Sequence, residues 1–391
     1  MPTQRGGGIA SYVKELATVM AARGHKVTII CASDDTRMQS DQMVEGVRII
    51  RLKGGDFIIP SVEHTPFAHF KKLRMLYRFH SYRKNILAAL NTLEDVDIIE
   101  VPDFGAEAYY LWRQDKPVVI RMHTPSSFIL TTTGAKHHPI SKFYLSWGDK
   151  KEIDTLTHFT HFSACSHSIQ KWYQQHFPQV KGEWQTIYNP LDTTRWNSDK
   201  SANSYSPYSV FYAGTVMQAK GVAELINACA LLREEGMPIE LTIAGKMGNY
   251  GLTLKETAQS RGYSWCRFTG NLPREELASL YKSAKVACFP SHWESLGLVC
   301  LEAMAIGNVV IGSLSGGMAE IITDGEDGWL VKPKDVLALK KTIKKALNMD
   351  DAAVKTMRAK ARKTVEDRFS AEHIIPLMEQ YYAHLCHANI D

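Results

Sequence analysis

No run of apolar residues in this 391-residue chain approaches the roughly 18 that a membrane-spanning helix needs. Its start, MPTQRGGGIASY, lacks the basic and apolar stretches of a secretory signal, so a soluble or peripheral protein of the cytoplasm is expected. The seven cysteines, Cys31, Cys165, Cys229, Cys266, Cys288, Cys300 and Cys386, are odd in number and form no C-x-x-C pair. That argues against a disulfide framework and a cysteine zinc site, and fits a reducing compartment. A dominant charge is missing too: 46 basic against 41 acidic residues leave +5, which does not call for nucleic acid as a partner.

What is present is a balanced 45% hydrophobic and 22% charged chain, long enough at about 150 residues per domain for two cores. Short apolar runs (KVTIICAS, DIIEV and PVVIRMH, then SVFYAGT, IELTIAG, VACFPS and VVIGS) alternate with helical patterns such as IASYVKELATVMAARG and VAELINACALLREEG. Strands separated by helices predict an α/β fold with parallel sheets, once in each half. The polar stretch NPLDTTRWNSDKSANSYSPYS marks a boundary, giving a first domain over 1–190, a hinge over 191–207 and a second domain over 208–372. The last segment, 373–391, carries the helical pattern AEHIIPLMEQYYAHLCHA, which can pack back on the first domain.

The most informative stretch is FPSHWESLGLVCLEAMAIGNVVIGSLSGGMAEIITDGEDGWLV. A strand is expected to end at Phe289 and a helix to begin near Gly297, so that Ser295, Leu296, Gly297 and Leu298 present free amides to an anion. Glu294 and Glu302, eight apart, can each accept hydrogen bonds from sugar hydroxyls, Glu302 about two turns into the helix. Taken alone the pair also reads as a solvated helix face. Lys220, in AGTVMQAKG before a helix, offers a cation, and His123 emerges from PVVIRM at the carboxyl edge of a strand, where open α/β sheets bind ligands.

The run from Cys288 to Val331 resembles the donor-site signature of the retaining family 4 glycosyltransferases, P-S-x-x-E-S-x-G-L-x-x-L-E-A-M-A-x-G, with Pro290, Ser291, Glu294, Ser295, Gly297, Leu298, Leu301, Glu302, Ala303, Met304, Ala305 and Gly307 in place. Further runs follow the family in order: GGGIASYVKELA, IRMHTPSS, FSACSHSI, IYNPLDTTRW, FYAGTVMQAKG, LTIAGK and GNLPREELASLY. The resemblance implies two Rossmann-like domains facing across a cleft, the GT-B fold, with a nucleotide sugar on the second domain and the acceptor on the first. It implies that Glu302 binds the ribose, Glu294 the donor sugar's hydroxyls and Lys220 the diphosphate. His123 would then stand beside the donor sugar, and Gly7 and Gly8 in the first loop would approach the donor phosphate or the acceptor. Thr215 stands where the family usually carries a second diphosphate-binding arginine; Lys246 or Arg5 could supply the missing charge. No D-x-D pair lies at a strand end as in metal-dependent transferases, so neither a metal nor a cofactor is expected. The activity implied is retaining transfer of a hexose from a nucleotide sugar, with UDP as first choice of nucleotide. The acceptor would be a glycan or a lipid-linked sugar of a surface polysaccharide or lipopolysaccharide. The alternatives are a nucleotide-sugar epimerase on the same frame or a non-catalytic sugar-nucleotide binder.

Two features remain. From His64 to Leu93 there is no acidic residue, and HFKKLRMLYRFHSYRK places Phe70, Leu73, Leu76, Tyr77 and His80 on one side of a helix, with Lys71, Arg74 and Arg78 on another. Residues 67–84 could thus meet an anionic membrane or pack on their own core. The opening RGGGIASYVKELA has Ser11 where a dinucleotide fingerprint needs its third glycine, which sets a dehydrogenase aside. A glycine loop of this kind normally follows a strand, and a strand of about five or six residues upstream of Met1 is therefore expected.

Overall fold

The computed structural model describes residues 7–33, 38–53, 68–124, 139–196 and 205–388, with side chains described except at 68–76 and 139–146. They form two α/β units: the first takes the described residues up to Pro190 and from Ile374 onward, the second takes Leu191–His373. No helix among the described residues is long and apolar enough to cross a membrane.

Unit 1 begins with helix α1 (Gly8–Ala22), then strands β1 (Thr28–Ala32), β2 (Ser40–Val44) and β3 (Val47–Leu52). Helix α2 (Ala68–Leu90), β4 (Ile99–Pro102), a 3-10 turn at Phe104–Tyr110 and β5 (Val118–Met122) follow. Helix α3 (Pro139–Leu156), β6 (His161–Ala164), α4 (His167–His176) and β7 (Glu183–Thr186) complete the run. The strands make two ladders, β1-β3-β2 and β4-β5-β6-β7, the second parallel throughout. Among the described residues β1 pairs with β3 alone, β4 pairs with β5 alone, and no strand precedes α1. Helix α1 joins the two ladders: Ala17 packs with Ile29, Val47 and Ile49, while the Tyr12 hydroxyl donates to Glu100 Oε1 on β4 at 2.8 Å.

Unit 2 alternates strand and helix: β8 (Ser206–Ala213), α5 (Val222–Glu234), β9 (Glu240–Ala244), α6 (Asn249–Ser260), β10 (Cys266–Gly270), α7 (Arg274–Ser283), β11 (Ala284–Phe289) and α8 (Leu298–Ile306). β12 (Val309–Ser313), α9 (Met318–Ile321), β13 (Trp329–Val331), α10 (Val336–Leu347) and α11 (Asp351–Arg368) follow. All six strands are parallel in the order β10-β9-β8-β11-β12-β13, so the winding reverses between β8 and β11. β11 and β12 are buried along their whole length, as apolar strands covered by helices on both faces must be.

The final helix, α12 (Ala371–Ala388), joins unit 1 from Ile374, the return that its apolar pattern allows. Glu379 accepts from Arg23 Nε and Nη2 at 2.8 Å each, and the Tyr382 hydroxyl donates to Glu100 Oε2 at 2.5 Å. Of the stretch read as a hinge, Leu191 and Trp196 are packed in unit 2, with the Arg274 guanidinium 4.6 Å from the Trp196 ring. β8 already begins at Ser206, and 197–204 lies outside the described residues.

The sequence pattern does not reveal the β2–β3 hairpin, whose two-residue turn Glu45–Gly46 holds both φ angles positive (52° and 79°), the geometry that matches strand twist. The basic segment is corrected in part. Phe67 lies outside the described residues, as do the side chains of Phe70, Lys71, Leu73, Arg74 and Leu76. Tyr77, placed on the apolar side, is 73% exposed, whereas Phe79 is buried with Tyr82 and Arg83. Phe79 packs edge-on against Tyr109 and Trp147, and the Arg83 guanidinium covers its ring while donating to the carbonyls of Phe79 and Ala106. The inner face of α2 is thus set by its neighbours rather than by its own periodicity.

Candidate active site

In a doubly wound sheet, ligands bind beyond the carboxyl ends of the strands where the winding reverses. In unit 2 that place lies between the loop after β8, which carries Thr215 and Lys220, and the loop after β11, which runs Pro290–Gly297 into α8. The two loops meet. Lys220 Nζ lies 2.5 Å from Glu294 Oε1, which also accepts from Ser291 Oγ at 2.8 Å. Both partners are largely buried, so the pair is screened less than a surface ion pair.

Backbone contacts hold this arrangement. Gly221 takes a left-handed φ of 68°, and a Cβ there would stand 2.0 Å from the Pro290 carbonyl oxygen, so only glycine lets the loops approach this closely. The His292 N–H donates to Ala219 O at 2.8 Å, and the Gly317 N–H donates to Glu294 O at 2.8 Å. α8 starts at Leu298 with Gly297 as its N-cap, no side chain capping it and no acidic residue in its first turn. Its free amides therefore carry the positive end of the helix dipole into the site.

Lys220, Glu294, Ser295, Leu296, Gly297 and Leu298 are thus brought to one place. Glu302 stands on α8, about one turn in rather than the two expected, since five residues or fewer separate it from the helix start, and its carboxylate interacts with the Tyr281 hydroxyl. Thr215 is exposed after β8, its carbonyl accepting from the Tyr212 hydroxyl at 3.1 Å. Lys246 is exposed after β9, and Arg5 lies outside the described residues.

The remaining expected residues belong to unit 1. Gly7 caps α1 and Gly8 begins it; a Cβ added at either would meet nothing within 4 Å among the described residues, which themselves do not demand glycine there. His123 follows β5 at its carboxyl end and is 5% exposed, its ring 4.8 Å from that of Tyr12. Burial, and secondarily the Arg121 cation, hold its pKa well below the ordinary histidine value, so the imidazole is neutral. Its Nε2 is buried without a hydrogen-bond partner among the described residues.

The structure adds residues that sequence reading passed over. Asp103, at the end of β4, is buried, accepts from the Tyr173 hydroxyl at 2.7 Å, and has its pKa pushed up to about 6 by burial. Glu224, in the first turn of α5, and His292, in the loop after β11, form a second side-chain contact, Oε1 to Nε2 at 2.8 Å. Signals for them existed in part: Asp103 ends the apolar run DIIEV with PD, and His292 fills an unspecified place in P-S-x-x-E, but Glu224 is only one more acidic residue on a helix.

Comparison with known proteins identifies the family and the fold. Residues 6–195 match the model of Glycosyltransferase Family 4, and residues 194–364 match that of Glycosyl transferases group 1. A glycogen synthase of Mycobacterium tuberculosis is 27% identical over 396 residues, spanning 96% of this chain and 91% of the relative. The sucrose-phosphate synthase of Thermosynechococcus elongatus has a similar fold, with a TM-score of 0.79 at 23% identity over 98% of this chain and 94% of its own. The Anabaena protein HepE, solved in complex with UDP-glucose, has a TM-score of 0.66 at 17% identity, covering 98% of each chain.

Proposed function

The chain belongs to the group 1 glycosyltransferases, and on that premise we propose that it moves a hexose with retention of configuration from a nucleoside diphosphate sugar, a UDP-sugar first, to a glycan or lipid-linked acceptor. The observation that carries this reading is the Lys220–Glu294 pair beside the uncapped start of α8, at the winding reversal of unit 2. An ammonium and a set of helix N-terminal amides suit a diphosphate, and a carboxylate beside them suits hydroxyls.

In this proposal Lys220 and the amides of Ser295, Leu296, Gly297 and Leu298 hold the diphosphate, Thr215 adds an uncharged donor, Glu302 takes the ribose and Glu294 the hexose hydroxyls. The ammonium has three protons, so Lys220 can keep Glu294 and still donate to phosphate. During transfer the bond from the anomeric carbon to the phosphate oxygen breaks and the bond to the acceptor oxygen forms on the same face. The acceptor's proton passes to the departing phosphate. Lys220 and the α8 amides stabilise the charge growing on that phosphate, the kind of term that dominates many catalysed reactions. His123, neutral, contributes an orienting group rather than a charge, and Gly7 and Gly8 leave space for a ligand at the start of α1. No metal is required in this scheme, because the cation is Lys220.

The acceptor is assigned to surface polysaccharide, lipopolysaccharide or related glycoconjugate synthesis. Seating at the inner face of an anionic membrane through 67–84 belongs to the same proposal, supported by the exposed Arg78 and Lys84. Incubating the protein with UDP-glucose and glycan acceptors, with and without EDTA, tests the chemistry. An α-linked product, read by NMR from an α-linked donor and formed equally in EDTA, is expected. A β-linked product or loss of activity in EDTA overturns the mechanism, and an isomerised nucleotide sugar released without acceptor points to an epimerase.

A further inference from the structure

Two side-chain pairs cross the same seam of unit 2. Lys220 meets Glu294, and Glu224 meets His292 at 2.8 Å with side chains only 20% and 10% exposed. Along one segment Lys220 and Glu224 are four residues apart; along the other His292 and Glu294 are two apart. The backbones between them are in contact through the His292 N–H on Ala219 O and through the close approach of Gly221 to Pro290. Glu224 lies in the first turn of α5, where a carboxylate is favoured by the helix dipole.

The two pairs carry different loads under the donor-site reading. Lys220 must share its protons between Glu294 and a diphosphate, so its grip on the loop after β11 weakens when the donor arrives. Glu224 and His292 have no such second duty in that reading. We propose that the Glu224–His292 pair is a positioning couple, which fixes the loop after β11 on the start of α5 so that Glu294 stays aimed at the donor sugar while Lys220 turns to phosphate. This inference rests on the donor-site reading and adds two residues to it. The His292 side chain reaches α5 while its N–H reaches the 3-10 turn Gln218–Lys220 before it, so one residue anchors the loop at two points. From Leu296 on, the segment is fixed independently by the buried Leu296 and Leu301 side chains, so the nucleotide's amide contacts depend less on the couple, whereas the Gly317 N–H on Glu294 O reports where Glu294 is held.

The test uses the full chain with Glu224→Ala, His292→Leu and the conservative Glu224→Gln, which can still accept the imidazole N–H. Melting temperatures check that each variant is folded. Hydrogen exchange of the free protein is expected to show at least about tenfold lower protection at the His292 and Gly317 amides in Glu224→Ala and His292→Leu, with β11 unchanged, and near-normal protection in Glu224→Gln. Titration calorimetry is expected to show about tenfold weaker UDP-glucose binding in the first two variants, UDP binding within about threefold of wild type, and recovery in Glu224→Gln. Unchanged amide protection, or equal loss of UDP-glucose and UDP, overturns the couple. Wild-type protein that binds neither ligand overturns the donor assignment instead, and the exchange result then decides whether the couple holds the loop.

Discussion

Under the proposed donor assignment, two side chains, Lys220 and Glu294, carry most of the chemistry. Removing the ammonium leaves a largely buried carboxylate whose Oε1 keeps the Ser291 hydroxyl, and it withdraws the cation assigned to the diphosphate. Lys220→Ala should therefore lower turnover by about 10² to 10³, the usual cost of losing one transition-state donor, with a smaller effect on donor affinity. Initial-rate kinetics at saturating donor measure it. Asp103 gives a pH signature. Its pKa of about 6 lies above the ordinary carboxylate value because it is buried, so between about pH 4 and 6 the native chain holds a proton that the unfolded chain has released. Stability from this group is thus lost as pH rises through that window, on the order of 2–3 kcal/mol in all. Asp103→Asn keeps an acceptor for the Tyr173 hydroxyl and removes the titration. In urea unfolding, its stability relative to wild type should rise from pH 4 to 6 and then level off; a constant difference contradicts the assignment. Glu294, Glu302 and Lys220 were recognisable as candidates because their neighbours form runs that resemble a family signature. Asp103 was not, since one carboxyl after a strand looks like any other until its burial is known.

Among the elements, α12 and α2 differ in how their sequences disclose them. α12 is tied to unit 1 by Tyr382 on Glu100 and by Arg23 and His25 on Glu379. Tyr382→Phe leaves Glu100 Oε2 without its phenol and should cost about 1–3 kcal/mol by urea unfolding, whereas Glu379→Ala, among partly exposed partners, should cost less than about 1 kcal/mol. The return of this helix was readable from its apolar spacing, but its partners were not, because they lie some 280 residues or more earlier in the chain. For α2 the spacing misleads: Phe79 and Arg83 face inward where the turn 104–110 and α3 receive them, and a helical wheel contains no neighbours. If α2 also meets a membrane, anionic vesicles should bind less of the variant with Lys71, Arg74 and Arg78 changed to alanine; undiminished binding removes that role. The β2–β3 hairpin was missed for lack of weight given to one Glu-Gly turn, and β7 (EWQT) and β10 (CRFTG) carry too few apolar residues to stand out.

For the whole molecule, strands alternating with helices sufficed to foresee two α/β units, because parallel pairing needs a crossover between strands and leaves that rhythm in the sequence. Strand order left no such trace. Only the structure shows that the winding of unit 2 reverses between β8 and β11 and so brings residues 70 or more apart, Lys220 and Glu294, into contact. The central claim is that this reversal holds a nucleotide sugar. It is tested most directly by a thermal-shift titration with UDP-, GDP- and ADP-sugars on the wild type and on Lys220→Ala and Glu302→Ala. A ligand at about 100 times its dissociation constant should add roughly 2.7 kcal/mol of stability to the wild type. One nucleotide series should raise the wild-type melting temperature, with the shift reduced in Lys220→Ala and largely lost in Glu302→Ala. Equal shifts in all three proteins would place the donor elsewhere and contradict the account.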